Sequence, residues 1–117
     1  MVKYLLVFLT CLTTNSLHAM TWTELQAEID SVEAGNPGNR DIILRFSEIV
    51  QTAVVYNRAV QESEPGAQLF CPPPDTPMTL DEIVSLVRAE SRREPASAER
   101  QVQVLMLDGF RRRYPCP

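Results

Sequence analysis

A proline-rich segment near the middle of the chain separates two parts that each carry a helical pattern. Between Ser63 and Pro77 the sequence SEPGAQLFCPPPDTP contains five prolines and one glycine. Proline has no backbone N–H to donate, and it disfavours the helical conformation in the residue before it. The sequence therefore predicts an extended connector between two helical parts.

Apolar residues before the connector recur at the three- and four-residue spacing of amphipathic helices. The first predicted helix covers Trp22 to Val32, with Thr21 and Glu24 at capping-box spacing and the run GNPGN at residues 35–39 ending it. The second runs from about Asp41 to Gln61. An Ala-Val-Val-Tyr run inside it also suggests a strand, but the helical spacing on both sides favours helix.

Two further helices are predicted after the connector. Thr79 and Glu82 form a second Thr-x-x-Glu pattern at the start of the third helix, which should end near Arg93. Pro95 suits the first turn of the fourth helix. The predicted fold class is all-α, a small bundle of about four helices.

The first nineteen residues have the pattern of a secretory signal peptide. Lys3 supplies the positive charge, Tyr4 to Leu12 is an apolar run, and Leu17-His18-Ala19 ends in a small residue suited to cleavage. The run is too short for the roughly 20 residues that span a bilayer, so a membrane anchor is the disfavoured alternative. We expect cleavage after Ala19, leaving one exported domain, residues 20–117.

Removing the leader leaves a chain without lysine or histidine. Ten arginines and fifteen carboxylates remain, a net charge of −5, which argues against a nucleic-acid partner. Without histidine the chain has no Ser/His or Cys/His nucleophile pair and no ordinary catalytic zinc site. We therefore expect no enzyme, metal or cofactor, although an enzyme that uses only carboxylates, as glycoside hydrolases do, is an alternative.

Cys71 and Cys116 are the two cysteines of the mature chain, because Cys11 leaves with the leader. An even number of cysteines in an exported protein indicates a disulfide. A bond between them would close a loop of about 45 residues and, by the chain-entropy estimate, lower the free energy of the folded state relative to the unfolded chain by about 4 kcal/mol. Two free thiols, or a thiol nucleophile, are the alternative, which an oxidising compartment disfavours.

Several motifs between residues 46 and 117 occur in the order of a known family. They are Tyr56 near the end of a long helix, Cys71-Pro72-Pro73, Thr79-Leu80, Glu94-Pro95 and Tyr114-Pro115-Cys116. This order resembles the Rap/Tai family, periplasmic immunity proteins that protect bacteria from amidase effectors delivered by type VI secretion. Ala59 and Gly109 depart from the pattern, where the family has glycine and alanine.

The resemblance implies a small helical domain that binds an amidase of peptidoglycan peptides and blocks it sterically, without chemistry of its own. It leaves a homodimer open. For the contact residues we select the polar turn between the last two helices, with Glu90, Arg92, Arg93 and Glu94, although a plain solvated turn would look the same. The alternative function is a small periplasmic chaperone or stress protein, which should show an exposed apolar helix face or pH-dependent unfolding.

Other charged residues have structural interpretations. The triplet Arg111 to Arg113 ends the fourth helix, where cations favour the negative end of the helix dipole. The i,i+4 pairs Glu24 with Glu28 and Glu90 with Glu94 are typical of solvated helix faces. None of these residues is selected as catalytic.

Overall fold

The computed structural model describes residues 20–94 and 99–117. The predicted signal peptide, residues 1–19, lies outside the described residues. The described part folds into four helices: α1 (Trp22–Glu33), α2 (Arg40–Ser63), α3 (Leu80–Ser91) and α4 (Val102–Arg113). The prediction of a small all-α bundle is confirmed.

Both predicted capping boxes are present. At the start of α1, the Thr21 hydroxyl accepts from the Glu24 N–H and the Glu24 carboxylate accepts from the Thr21 N–H. Thr79 and Glu82 exchange the same two hydrogen bonds at the start of α3. Each box satisfies backbone donors that have no partner inside the helix, so both helices begin where the sequence predicts.

The segment between α1 and α2 separates the two helices, and α1 ends before the GNPGN run as predicted. Gly38 has a φ of +62°, a conformation that side chains rarely adopt, and a Cβ there would lie 2.6 Å from Val32 Cγ2. The Glu28 carboxylate accepts from the Asn39 N–H at 2.6 Å, and the Asn39 side chain accepts from the Asp41 N–H and caps α2. Glu28, predicted on a solvated face, therefore fastens this turn.

The fourth helix begins later than predicted. Pro95, the predicted first residue, lies outside the described residues, but the N-cap of α4 is Gln101, which is extended with φ −61° and ψ 135°, so the prediction that residues 99–101 belong to this helix is wrong. Gln101 forms an antiparallel bridge with Thr21, and the Val102 N–H donates to the Met20 carbonyl at 2.9 Å. Before residue 102 the backbone therefore forms hydrogen bonds with the chain entering α1 and not with an additional helical turn.

The core lies where α1, α3 and α4 meet the first half of α2 and the middle of the connector. Trp22 and Phe46 are almost fully buried there. Two residues that helical spacing places on buried stripes are not buried, because Val32 is 42% exposed and Leu80 is 36% exposed. The remaining buried apolar residues are Leu25, Val50, Phe70, Ile83, Val87, Val102, Leu105, Met106 and Phe110.

The connector is not helical, but it is not extended throughout as predicted, because the Ala67 N–H donates to the Glu64 carbonyl and the Thr76 N–H to the Pro73 carbonyl and close two turns. Contacts near its middle tie it to the bundle. The Asn57 side chain, buried on α2, donates to the Phe70 carbonyl at 2.9 Å and accepts from the Leu69 N–H at 2.8 Å. Phe70 stacks on Phe110 of α4 with ring centroids 4.5 Å apart. Directly after it, Cys71 is bonded to Cys116 with the Cα atoms 4.9 Å apart, which confirms the predicted disulfide.

Among the helices of the described residues, none combines the length and the apolar character that crossing a membrane requires.

Candidate functional site

The helices α3 and α4 pack against each other as a hairpin, and the residues selected from the sequence lie at its turn. Gly109, in the middle of α4, allows this close approach, because a Cβ there would lie 2.9 Å from Leu86 Cγ and 3.1 Å from Glu90 Cγ. The disulfide and the hydrogen bond from the Cys71 N–H to the Tyr114 carbonyl, 2.8 Å, hold the opposite end. Hairpin and connector are thus one covalently closed unit.

Three of the four selected residues follow the end of α3, and their side chains are exposed. Arg92 is the C-cap of α3, and Arg93 donates its backbone N–H to the Glu90 carbonyl at 3.1 Å. Arg92, Arg93 and Glu94 are all exposed. The structure therefore presents two cations and one anion in sequence, next to residues 95–98, which are outside the described part.

The fourth selected residue, Glu90, has a different place. It is 8% exposed, and its Oε1 accepts a hydrogen bond from Arg112 Nε at 2.8 Å. Arg93 Nε lies 4.0 Å from the same oxygen. Its predicted solvated face, shared with Glu94, is thus wrong for Glu90, because α4 covers that side of α3. Glu90 supports the base of the turn.

The far end of the turn is fastened to α1. The Trp22 N–H donates to the Arg100 carbonyl at 3.4 Å, and Thr23 Oγ1 donates to a Glu99 carboxylate oxygen at 3.3 Å. The Arg100 guanidinium also pairs with Asp108 of α4 at 3.0 Å. The described residues on both sides of positions 95–98 are therefore anchored, by Glu90 with Arg112 on one side and by α1 on the other.

A groove of about 580 Å³ runs along the hairpin beside this support. Its walls carry acidic residues at the start of α3, Asp81 and Glu82, and basic residues at the end of α4, Arg112 and Arg113. Sequence reasoning placed Arg112 correctly at the helix end but did not identify Glu90 as its partner. A small residue in an apolar helix, Gly109, was the available signal that α3 and α4 approach closely there.

A second groove, about 700 Å³, lies between α2 and α4 and was not predicted. We call it the α2–α4 groove. Apolar side chains form most of it, and Arg45 and Glu48 of α2 line it as well. Gln103 also lines it, although the Oε1 atom of this side chain is buried within the protein and has no hydrogen-bond donor among the described residues. Its apolar lining is Ile49, Ala53, Tyr56, Leu69, Phe70, Met106 and Leu107.

Within residues 20–94 and 99–117, no group of three or more histidine, cysteine or carboxylate side chains is placed to hold a metal ion. No family model matches the chain, and neither the characterised proteins nor the solved structures compared with it include a similar one. The Rap/Tai resemblance therefore depends on the motif residues alone.

Proposed function

We propose that this chain is a periplasmic immunity protein that binds and sterically inhibits a peptidoglycan amidase delivered by type VI secretion. The observation that supports this most directly is the exposed charged group Arg92, Arg93 and Glu94 at the end of α3, which lies above the ion pair of Glu90 with Arg112. The motifs of residues 46–117 support it independently. The disulfide is compatible with an oxidising compartment, and the leader pattern makes the periplasm the expected one.

Anchoring by neighbouring contacts makes the described residues at the end of α3 suitable for an inhibitor. Residues that are already anchored lose little conformational entropy when they enter a partner's cleft, so more of the contact energy remains as affinity. Arg92, Arg93 and Glu94 would make the contacts, and Glu90 with Arg112 would hold them in place. In this proposal Glu90 therefore supports the contact residues and does not itself contact the amidase.

The inhibitor would carry out no reaction itself. Residues 20–117 contain no lysine or histidine to act as a base or nucleophile. Inhibition in this proposal is occlusion of the amidase cleft, and it needs neither a metal nor a cofactor.

A titration of a type VI peptidoglycan amidase with the oxidised protein tests the proposal. We expect stoichiometric inhibition by wild type and weaker binding by Arg92→Ala/Arg93→Ala/Glu94→Ala. Removing one member of a charge pair that becomes buried costs about 2 to 5 kcal/mol and increases mainly the dissociation rate. The matched control, Arg40→Ala/Arg58→Ala/Glu62→Ala, removes the same charges from exposed positions on α2 and should inhibit like wild type.

The results separate the function from the contact surface. Equal inhibition by both triple variants would remove the turn from the interface and leave immunity in place. A wild-type protein that neither binds nor protects against any such amidase would contradict the proposal.

The second candidate function, a small periplasmic chaperone, is favoured by the exposed apolar side of α2. Val55 is 66% exposed and Tyr56 is 65% exposed, the kind of apolar surface that binds unfolded clients. An aggregation assay with a reduced client protein tests this function. Suppression of aggregation that is lost in Val55→Ser/Tyr56→Ser, together with no effect on an amidase, would favour the chaperone.

A further inference from the structure

The groove along the α3–α4 hairpin carries charges of both signs, and the proposed immunity function uses only some of them. Its volume of about 580 Å³ lies in the range of pockets that hold small ligands. We propose that this groove binds a short peptide whose two ends are free, with the ammonium at the first turn of α3 and the carboxylate beside Glu90. The inference does not depend on the amidase proposal, because it concerns the protein alone with a soluble peptide.

The acidic end of the groove has a carboxylate that is available for a cation. Asp81 and Glu82 both line the groove at the first turn of α3. The Glu82 carboxylate is already engaged, since it accepts from the Thr79 N–H and completes the capping box. The Asp81 side chain is exposed and has no ion-pair or hydrogen-bond partner among the described residues. An ammonium group can therefore approach Asp81 without displacing a contact.

The other end of the groove, at the last turn of α3, has guanidinium donors for an anion. Arg112 Nε donates to the buried Glu90 carboxylate at 2.8 Å, and Arg93 Nε lies 4.0 Å from the same oxygen. Two guanidinium groups thus face one carboxylate, and Arg113 adds a further cation to the groove wall. A guanidinium has five N–H donors in a planar fork that matches a carboxylate, so both arginines retain donors for a ligand.

The distance between the two ends sets the length of the peptide. Asp81 precedes Glu90 by nine residues of α3. At a rise of about 1.5 Å per residue the two positions are separated by about 13 to 14 Å along the helix axis. An extended peptide advances about 3.3 Å per residue, so about four residues span this distance.

The middle of the groove sets the side chains of the peptide. Its lining there is small or apolar, with Ser85, Leu86 and Ala89 on α3 and Gly109 on α4. A charged ligand side chain would lose hydration against Leu86 and Ala89 without gaining a partner, whereas a methyl group would lose none. Tetra-alanine is therefore the simplest peptide with the length, the end charges and the side chains that the groove requires.

An NMR titration of the ¹⁵N-labelled full chain, purified with the disulfide formed, tests the groove with tetra-alanine as the probe. We expect shift changes at the Ser85 and Ala89 amides and a dissociation constant of about 1 mM or lower. The N-acetylated peptide and the peptide with a C-terminal amide should each bind about fivefold to tenfold more weakly, because each lacks one of the two end charges.

Two variants identify which end of the groove binds which end of the peptide. Asp81→Asn should weaken the binding of tetra-alanine by about fivefold and leave that of the N-acetylated peptide unchanged, since this peptide has no ammonium to lose. Arg93→Gln should weaken the binding of tetra-alanine similarly and leave that of the amidated peptide unchanged. A general disturbance of the fold would weaken every peptide alike, so this selectivity reports direct contact.

Each variant has a matched control. Asp41 is the second residue of α2, as Asp81 is of α3, and it lies outside the groove lining. Arg92 is the exposed neighbour of Arg93 and does not line the groove either. Asp41→Asn and Arg92→Gln should therefore bind all three peptides like wild type.

Several results would overturn the proposal. One is the absence of shift changes at Ser85 and Ala89 with about 10 mM tetra-alanine. Another is equal affinity for the free and the blocked peptides, and a third is equal affinity for acetate and tetra-alanine, which would make the groove a site for anions only. Asp81→Asn should still inhibit an amidase like wild type, so failure of peptide binding and failure of the immunity function can be distinguished.

Discussion

Arg112 donates a hydrogen bond from Nε to Glu90 Oε1, 2.8 Å away, and so joins the end of α4 to the end of α3. The two side chains differ in exposure, since that of Glu90 is 9% exposed and that of Arg112 is 54% exposed. A carboxylate buried without a partner would be strongly unfavourable, so the arginine allows Glu90 to lie beneath the turn. The same carboxylate oxygen also faces Arg93, which connects this support with the candidate contact surface.

Removing the arginine should therefore destabilise the domain. Arg112→Ala leaves the Glu90 carboxylate buried with only the more distant Arg93 beside it. Because Arg112 is half exposed and solvent weakens the pair, we expect a loss of about 1 to 2 kcal/mol in the free energy of unfolding. Arg111→Ala, the exposed neighbour, should change it by less than about 0.5 kcal/mol. Urea denaturation measures both, and equal losses would mean that the Glu90 contact contributes nothing.

Because α3 packs closely on α4 at Gly109, we expect Gly109→Ala to destabilise the protein, although helix propensity alone would make it stabilising. Alanine is favoured over glycine within a helix by about 1 kcal/mol. Gly109→Ala should nevertheless destabilise the fold by about 1 kcal/mol, because the new Cβ would meet the Leu86 side chain and overpacking costs about 1 to 3 kcal/mol.

The matched background for this prediction removes the obstacle. In Leu86→Ala the nearest obstacle beside Gly109 is removed and only the Glu90 side chain, with its Cγ 3.1 Å from the new Cβ, must shift slightly, so the further change Gly109→Ala should stabilise the protein by up to about 0.5 kcal/mol relative to Leu86→Ala. Thermal or urea unfolding of all four proteins completes the cycle. If Gly109→Ala has the same effect in both backgrounds, Leu86 is not what makes glycine necessary there.

Local sequence signals predicted most of the helices correctly. The two capping boxes at Thr21 and Thr79 need only residues three apart, and the glycines before α2 act within their own turn, so neighbours in sequence determine these boundaries. The start of α4 was wrong for the opposite reason. Its position depends on Gln101 pairing with Thr21, and no local pattern records a hydrogen bond between segments so far apart in the chain.

The same distinction between local and tertiary information applies to the residues of the candidate site. That Arg92, Arg93 and Glu94 would be exposed followed from their place after a helix end. Glu90 was assigned to a solvated face because its spacing from Glu94 reports only helix geometry, and which side α4 covers is a tertiary property. The buried, unpaired Gln103 acceptor could not be predicted either, since the burial of a side-chain atom is also a tertiary property.

Asn57 of α2 binds the backbone of the connector, so truncating its side chain should destabilise the fold. Its side chain accepts from the Leu69 N–H and donates to the Phe70 carbonyl, so Asn57→Ala leaves backbone groups near the core without partners. We expect a loss of roughly 2 to 4 kcal/mol, since each buried group left unsatisfied costs about 1 to 3 kcal/mol. Gln61→Ala, an exposed change one turn further along α2, is the control. A loss no greater than the control's would mean that other contacts are sufficient to hold Phe70.

The disulfide gives the final prediction. Cys71 and Cys116 are separated by 45 residues, and the loop that they close contains both α3 and α4. By the chain-entropy account, removing such a bond from a small exported domain costs about 2 to 5 kcal/mol, largely because the unfolded chain gains freedom. Cys116→Ser should therefore unfold at lower urea concentration than wild type, and wild type treated with reductant should match it.

The Phe70–Phe110 stacking and the hydrogen bond from the Cys71 N–H to the Tyr114 carbonyl do not need the disulfide, so the helical circular dichroism should survive in the absence of urea. Intact mass before and after alkylation checks the starting state, and two alkylated thiols in unreduced protein would show that the bond does not form.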